Sequence, residues 1–157
     1  MDIFDALLQS HEQQRAICKR LLSAIGEPEQ RRQVLDELKV EMAAHETAEE
    51  RTFYVPLFAH DETVDAARHG IAEHHEMDEM VEDLEQADPG SPEWLESIGK
   101  LVQKLEHHLQ EEEEKFFPQA REVLSRGQQK ALGEPYREEH ERLAAKEEEE
   151  QERAQQH

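Results

Sequence analysis

The sequence predicts an all-α protein: four long helices arranged as two copies of one helical hairpin, with short extra helices at the C-terminus. Three observations predict it. The 157-residue chain holds only 6 Gly and 6 Pro, and Ala, Leu, Glu, Gln, Lys and Arg, the residues that lose least on entering a helix, dominate it. Between the few breaks, apolar residues recur at spacings of three and four. The pattern then repeats at a constant offset, with Leu8 through Glu49 answered by Ile71 through Glu112. The length suits one domain with a real core, and aromatics at 5% argue against a large β-core.

The first helix is expected over residues 2–25, ahead of the break Gly26-Glu27-Pro28, and Leu8, His11, Ile17, Cys18 and Leu21 mark one of its faces. The second, over 29–59, carries Leu35, Leu38, Met42, His45 and Glu49, and closes near His60-Asp61. The third, over 62–87, presents Ile71, His74, Met80, Val81 and Leu84, which repeat the first helix in character. After Ala87-Asp88-Pro89-Gly90-Ser91-Pro92 the fourth runs over 92–124, with Ser91 as cap and Pro92 in the first turn. Its Ile98, Leu101, Leu105, His108 and Glu112 repeat the second helix. Gly127 and Gly133-Glu134-Pro135 divide the remainder into short helices near 127–132 and 135–154.

Charge narrows the partners. The formal net charge of -21 repels nucleic acid, which needs clustered Lys and Arg, and disfavours anionic membrane surfaces. Cations are the favoured class. Cys18 is the only cysteine, so an internal disulfide and a multi-thiolate metal site are both excluded. The start Met1-Asp2-Ile3-Phe4-Asp5 lacks the order of a secretory signal and no apolar run approaches a membrane span, so a reducing cytoplasm is the expectation.

Each half holds a His followed at the same interval by a His-x-x-x-Glu: His11 with His45 and Glu49, then His74 with His108 and Glu112. Spacing of four puts His45 and Glu49 on one helix face, and likewise His108 and Glu112. Those faces are the apolar ones, where a lone carboxylate is expensive. Depth agrees. His11 and His45 stand almost equally far on either side of a loop near residue 27, and His74 and His108 do the same around residue 90. Glu49 and His74 flank the turn near residue 61 at nearly equal distance. At about 1.5 Å rise per residue all six side chains converge on one layer. Four imidazoles and two carboxylates there are a metal site too rich for one ion. Two ions sharing two bridging glutamates, with an oxide or hydroxide bridge, would each reach five ligands and keep room for a reactant. Nitrogen and oxygen donors without sulfur suit two iron ions ahead of manganese or zinc.

The order His, His-x-x-x-Glu, His, His-x-x-x-Glu resembles the hemerythrin-like, HHE cation-binding family. The stretches His45-Glu46-Thr47-Ala48-Glu49-Glu50 and His108-Leu109-Gln110-Glu111-Glu112-Glu113-Glu114-Lys115-Phe116-Phe117-Pro118 are similar to its two metal-binding helices. The resemblance covers roughly residues 1–125, leaving 126–157 as a C-terminal helical extension packed on the bundle or trailing from it. It implies an up-and-down antiparallel four-helix bundle, a non-haem di-iron centre, and chemistry with oxygen, peroxide or nitric oxide. Oxygen-carrying members use five histidines and two carboxylates. This chain offers four, which counts against reversible oxygen carriage.

Two doublets need a choice. His108 continues the apolar stripe, whereas His107 continues Lys100, Lys104, Glu111 and Glu114 and is expected at the surface. The residues at +6, +7 and +10 favour His74 over His75 without excluding His75. His60, His69, His140 and His157 match no stripe and are expected in solvent. Cys18, aligned with Val81, reads as core. The acidic runs Glu111–Glu114 and Glu147–Glu150 read as solvated faces from which only Glu112 points inward.

Tyr54 is the departure from the repeat. The stretch from Glu49 to Pro56 is one residue longer than the matching stretch from Glu112 to Pro118. The extra residue is expected as a π-bulge that turns Tyr54 toward the metals as a further ligand, against the plainer reading of an interfacial tyrosine. A phenolate ligand favours ferric iron. The leading function is therefore catalase-like breakdown of hydrogen peroxide. Oxygen or nitric oxide binding or sensing, or iron binding without turnover, is the alternative. A metal-free or zinc-bound scaffold with an acidic partner surface over Pro135–Glu150 is the third reading.

Overall fold

The computed structural model describes residues 1–24 and 26–156. Ile25, the expected end of the first helix, and His157 lie outside the described residues. The described chain is helical, with no strand: α1 (Ile3–Ser23), α2 (Pro28–Glu49), a π turn (Glu50–Tyr54), α3 (Val55–Leu57), α4 (Asp61–Gln86), α5 (Pro92–Glu111), a second π turn (Glu112–Phe116), α6 (Phe117–Val123) and α7 (Arg126–Gln155).

Local chemistry sets the starts. Asp2 accepts from the Asp5 amide at 2.9 Å while the Asp5 carboxylate accepts from the Asp2 amide, a reciprocal cap for α1. Ser91 caps α5 by accepting from the Trp94 amide, as expected, with Pro92 where its missing N–H costs nothing. α1 packs on α2, α4 on α5, α1 on α5 and α2 on α4, which closes the four-helix bundle.

The C-terminal segment is one long helix, α7, not two short ones. Gly and Pro are poor helix formers, so Gly133-Glu134-Pro135 reads as a break. Here tertiary contacts override propensity. Ser125 and Gln128 form a reciprocal cap at the start. Beyond Pro135, Tyr136 is 1% exposed, His140 pairs with Glu41 at 2.9 Å, and Gln151 donates to the Asp36 carbonyl at 2.9 Å. Part of the acidic segment thus faces α1 and α2 of its own chain.

The core is split. An aliphatic cluster around Ile17, Leu21, Leu35, Leu38, Leu84 and Leu101, with Trp94, fills one end. An aromatic cluster of Phe4, Phe53, Phe116 and Phe117, with Tyr54 and Tyr136, fills the other. Cys18 is a buried free thiol in the first, as expected, and burial pushes it up to about 12. Between the clusters lies a layer of buried polar side chains.

Two glycines test the packing with opposite signs. A Cβ on Gly133 would meet the backbone of Met1 and Asp2, whereas one on Gly99 would meet nothing within 4 Å. Gly133→Ala should lose about 1–3 kcal/mol by overpacking, more than its gain in helix propensity. Gly99→Ala should gain about 0.5–1 kcal/mol. Denaturant unfolding of the two variants reads both.

Candidate metal centre

The helices that carry the His-x-x-x-Glu pairs each widen just after the pair. The Val55 amide bonds to the Glu50 carbonyl and the Phe117 amide to the Glu112 carbonyl, each five residues back. Each of these amides precedes a proline, Pro56 or Pro118, which has no N–H to continue the ladder. The expected bulge is present, but it is not peculiar to the first half. What differs is that the second π turn begins one residue nearer its glutamate.

The six expected side chains meet. His11, Glu49, His45, His74, His108 and Glu112 are at most 3% exposed and stand together in the polar layer. His11, His45, Glu49 and Glu112 form one group of donor atoms that can hold a cation, and Glu49, His74 and His108 a second, so Glu49 is shared. Glu112, expected as a second bridge, falls in the first group, with its Oε2 3.9 Å from His108 Nε2. His74, not His75, faces the centre: His75 is 75% exposed at its side chain, and His107 is 70% exposed. His69 is also exposed, while His140 is partly buried against Glu41, a departure from the expected solvated position.

Each imidazole presents Nε2 to the centre and is held from behind through Nδ1. His11 Nδ1 meets Glu113 Oε2 at 2.6 Å, His74 Nδ1 meets Glu50 at 3.3 Å, His108 Nδ1 meets Glu73 at 2.8 Å and His45 Nδ1 meets the Tyr136 hydroxyl at 2.7 Å. Such outer partners fix which ring nitrogen is free to bind a cation. They follow the repeat: Glu50 and Glu113 occupy matching positions, and each supports the histidine of the opposite hairpin. Glu73 falls on Ser10, whose side chain is too short to replace it. Ser10 instead bonds Tyr136 at 2.6 Å, and Tyr136 completes the reach to His45.

Tyr54 is fully buried, and its hydroxyl donates to Glu112 Oε2 at 2.5 Å. Its ring stacks on His74 with centroids 5.6 Å apart, as Phe117 stacks on His11 at 5.8 Å. Gly70 makes the space, because a Cβ there would collide with the Tyr54 ring and hydroxyl. At the repeat-related position stands Leu7. On this same side a cleft of about 160 Å³ reaches inward between α4 and the α5–α6 arm, walled by His69, Gly70, Glu73 and Glu111 and floored by His108 and Glu112.

Electrostatically the layer is divided between groups pushed toward the protonated form and groups pushed away from it. Burial alone would lower His11, but Glu112 and Glu113 outweigh it and raise it to about 9. Burial is likewise outweighed at His74, which Glu49 and Glu50 hold well above the ordinary imidazole range. Burial, and then the charge on His11, push His45 well below that range. Burial would raise Glu49, but Glu112 and the His74 and His11 imidazoles hold it down to about 2. Burial and the facing Glu49 push Glu112 up.

A family model for the hemerythrin HHE cation binding domain matches residues 2–120. The chain belongs to this family. A crystal structure of a hemerythrin HHE cation binding domain-containing protein from Mycobacterium kansasii superposes with a TM-score of 0.82 at 22% identity, covering 93% of this chain and 89% of that one. At that identity the likeness shows the fold. No curated protein matches the chain.

The residues of this HHE domain fit a metal. Nε2 of His45, His74 and His108 and both oxygens of Glu49 are buried without a hydrogen-bond partner. His74 Nε2 lies 3.2 Å from Glu49 Oε1 without the alignment of a hydrogen bond. Orphaned donors converging on one point are costly unless a cation satisfies them. The acidic run 111–114 does more than line a surface, since Glu113 as well as Glu112 turns inward. Glu50, Glu73, Glu113, Ser10, Gly70 and Tyr136 escape a search for apolar stripes because their contacts lie beside the stripe. Extending the internal repeat to the polar positions flags Glu50 and Glu113.

His45→Ala or His108→Ala should lower bound metal and melting temperature together, and His107→Ala should do neither; equal damage from His107→Ala would put the wrong face of α5 inward. A metal-bound nitrogen must be unprotonated, so metal uptake near neutral pH should release protons from His11 and His74, and affinity should rise with pH. In the metal-free protein the stability contributed by the raised His11 is fully present below its ordinary value of 6.5 and is lost as pH rises through about 9. An indicator-dye titration with no proton release would contradict this.

Proposed function

We propose that this protein holds two iron ions in its polar layer and breaks down hydrogen peroxide there. The observation that carries the reading is the pair of donor groups sharing Glu49, with every histidine offering Nε2 inward. His11, His45, Glu49 and Glu112 would hold one ion, and Glu49, His74 and His108 the other. Nitrogen and oxygen donors without thiolate suit iron.

When bound, the iron pair supplies reversible electron transfer with peroxide. One peroxide takes up two electrons and two protons to become two waters, and a second returns both and leaves as oxygen. The protein's part is position, dryness and protons. Three of the four histidines are backed by carboxylates, which makes their imidazoles more basic and favours the ferric state. The second donor group has three residues against four in the first. The cleft is floored by His108 of the smaller group and Glu112 of the larger, and the Tyr54 hydroxyl bonds that Glu112, so a reactant entering there would meet a proton donor. Tyr54 keeps its proton in the metal-free protein, where burial and then the charge on Glu112 raise it well above its ordinary value. A cation held by Glu112 would oppose that effect, and Tyr54 would then be placed to serve as a further ligand.

Capture of oxygen or nitric oxide at the same centre is the second reading, favoured by the small volume of the cleft. Among the described residues no fifth histidine joins the layer, which counts against oxygen carriage. A metal-free scaffold leaves the orphaned donors unexplained, and a zinc-bound one is separated from the di-iron reading by metal analysis. No helix among the described residues is long and apolar enough to cross a membrane.

Protein purified from iron-supplied cells should carry about two irons per chain, show near-ultraviolet charge-transfer absorption and evolve oxygen from peroxide. One zinc, or no metal, would overturn the di-iron reading; two irons without oxygen evolution would favour the binding module. Tyr54→Phe keeps the ring and removes the donor oxygen. A visible charge-transfer band of the ferric protein should then vanish with both irons retained, and peroxide turnover should change. An unaltered spectrum and rate would remove Tyr54 from the centre's chemistry.

A further inference from the structure

At the mouth of the cleft stands a third group of donors that the central layer does not use. His69 Nε2 lies 3.4 Å from Glu73 Oε1 and 3.5 Å from Glu111 Oε1, with all three atoms within 4.8 Å of one another. His69 and Glu73 come from one face of α4, four residues apart, and Glu111 ends α5 opposite them. The other oxygen of Glu111 is held by His107 Nε2 at 3.2 Å, which orients the carboxylate.

The group is joined to the centre in two ways. Glu73 Oε1 also accepts from His108 Nδ1 at 2.8 Å, so one carboxylate oxygen touches both sites. The cleft runs from His69 at its rim to His108 and Glu112 at its floor, and His108 is 3% exposed with Nε2 unpartnered.

We propose that His69, Glu73 and Glu111 form a surface site for a divalent first-row cation, and that ferrous iron pauses there on its way to the central layer. One nitrogen and two carboxylates, open to water on the remaining positions, give a site that binds and releases. The chain's net charge of -21 raises the local cation concentration. The site rests on the reading of a metal-filled centre for its role in loading, and on its own geometry for binding.

The double variant His69→Ala, Glu111→Gln tests it, because neither residue contributes to the central donors. Protein with its centre filled is titrated with Mn²⁺ and followed by loss of the free-ion magnetic resonance signal. The wild type should take up about one further ion, and the variant should bind it about 10–100-fold more weakly. Metal-free variant given ferrous iron without oxygen should fill about tenfold more slowly than the wild type, to the same final content. His75→Ala, on an exposed neighbouring face, should match the wild type in both. No additional Mn²⁺ in the wild type, or full binding in the variant, overturns the site. Equal filling rates overturn its role in loading. Wild type that takes up no iron contradicts the central reading instead, and the Mn²⁺ difference still reads the surface site. Unchanged helical content and melting temperature of the metal-free variant exclude a folding defect as the cause.

Discussion

Two carboxylates, Glu49 and Glu112, face each other at the dry centre of the bundle, and the rest of the structure is arranged around that constraint. Neither is exposed by more than 3%, and both oxygens of Glu49 lack a hydrogen-bond donor. Like charges at that depth are tolerated only with compensation. In the metal-free protein the compensation is protonic: His11 and His74 are held in the charged form, and Glu112 is pushed toward its neutral one. Cations would serve the same purpose with better geometry. The aliphatic cluster on one side and the aromatic cluster on the other keep water out, which makes the compensation necessary and confines it to one layer.

The layer is nearly two-fold symmetric, and its departures from symmetry are few. Glu50 supports His74 as Glu113 supports His11, each across the hairpin boundary. Tyr54 stacks on His74 as Phe117 stacks on His11. The pairs then diverge. Tyr54 has a hydroxyl where Phe117 has none, and Gly70 gives it room where Leu7 stands in the other half. The cleft opens on the Gly70 side. These substitutions put a hydroxyl and an opening on the Gly70 side of the layer.

The four bundle helices and the six central side chains were legible because both follow one rule, the apolar periodicity of a helix, read twice at a constant offset along the chain. His74 over His75 and His108 over His107 follow from the same rule. It fails where a backbone leaves that period. Both halves carry a π turn, at Glu50–Tyr54 and Glu112–Phe116, so the one-residue difference in spacing to Pro56 and Pro118 accounts for neither. It also fails at α7. The low apolar content of this helix hides the lone buried aromatic, Tyr136, and Pro135 imitates an end that packing on α1 and α2 overrides.

Tyr136 shows how the C-terminal helix belongs to the centre. Ser10 occupies the position from which Glu73 supports its histidine in the other half, and a hydroxymethyl group cannot span that gap. The Tyr136 hydroxyl spans it, bonded to Ser10 at 2.6 Å and to His45 at 2.7 Å. The family match ends at residue 120, before α7 begins. One of the four imidazoles is therefore oriented from outside the matched span, by a neutral phenol where the other three have carboxylates. A neutral partner withdraws less proton density from the ring than a carboxylate does, so His45 is the least basic of the four nitrogens offered inward. The inequality between the two halves begins with that single serine.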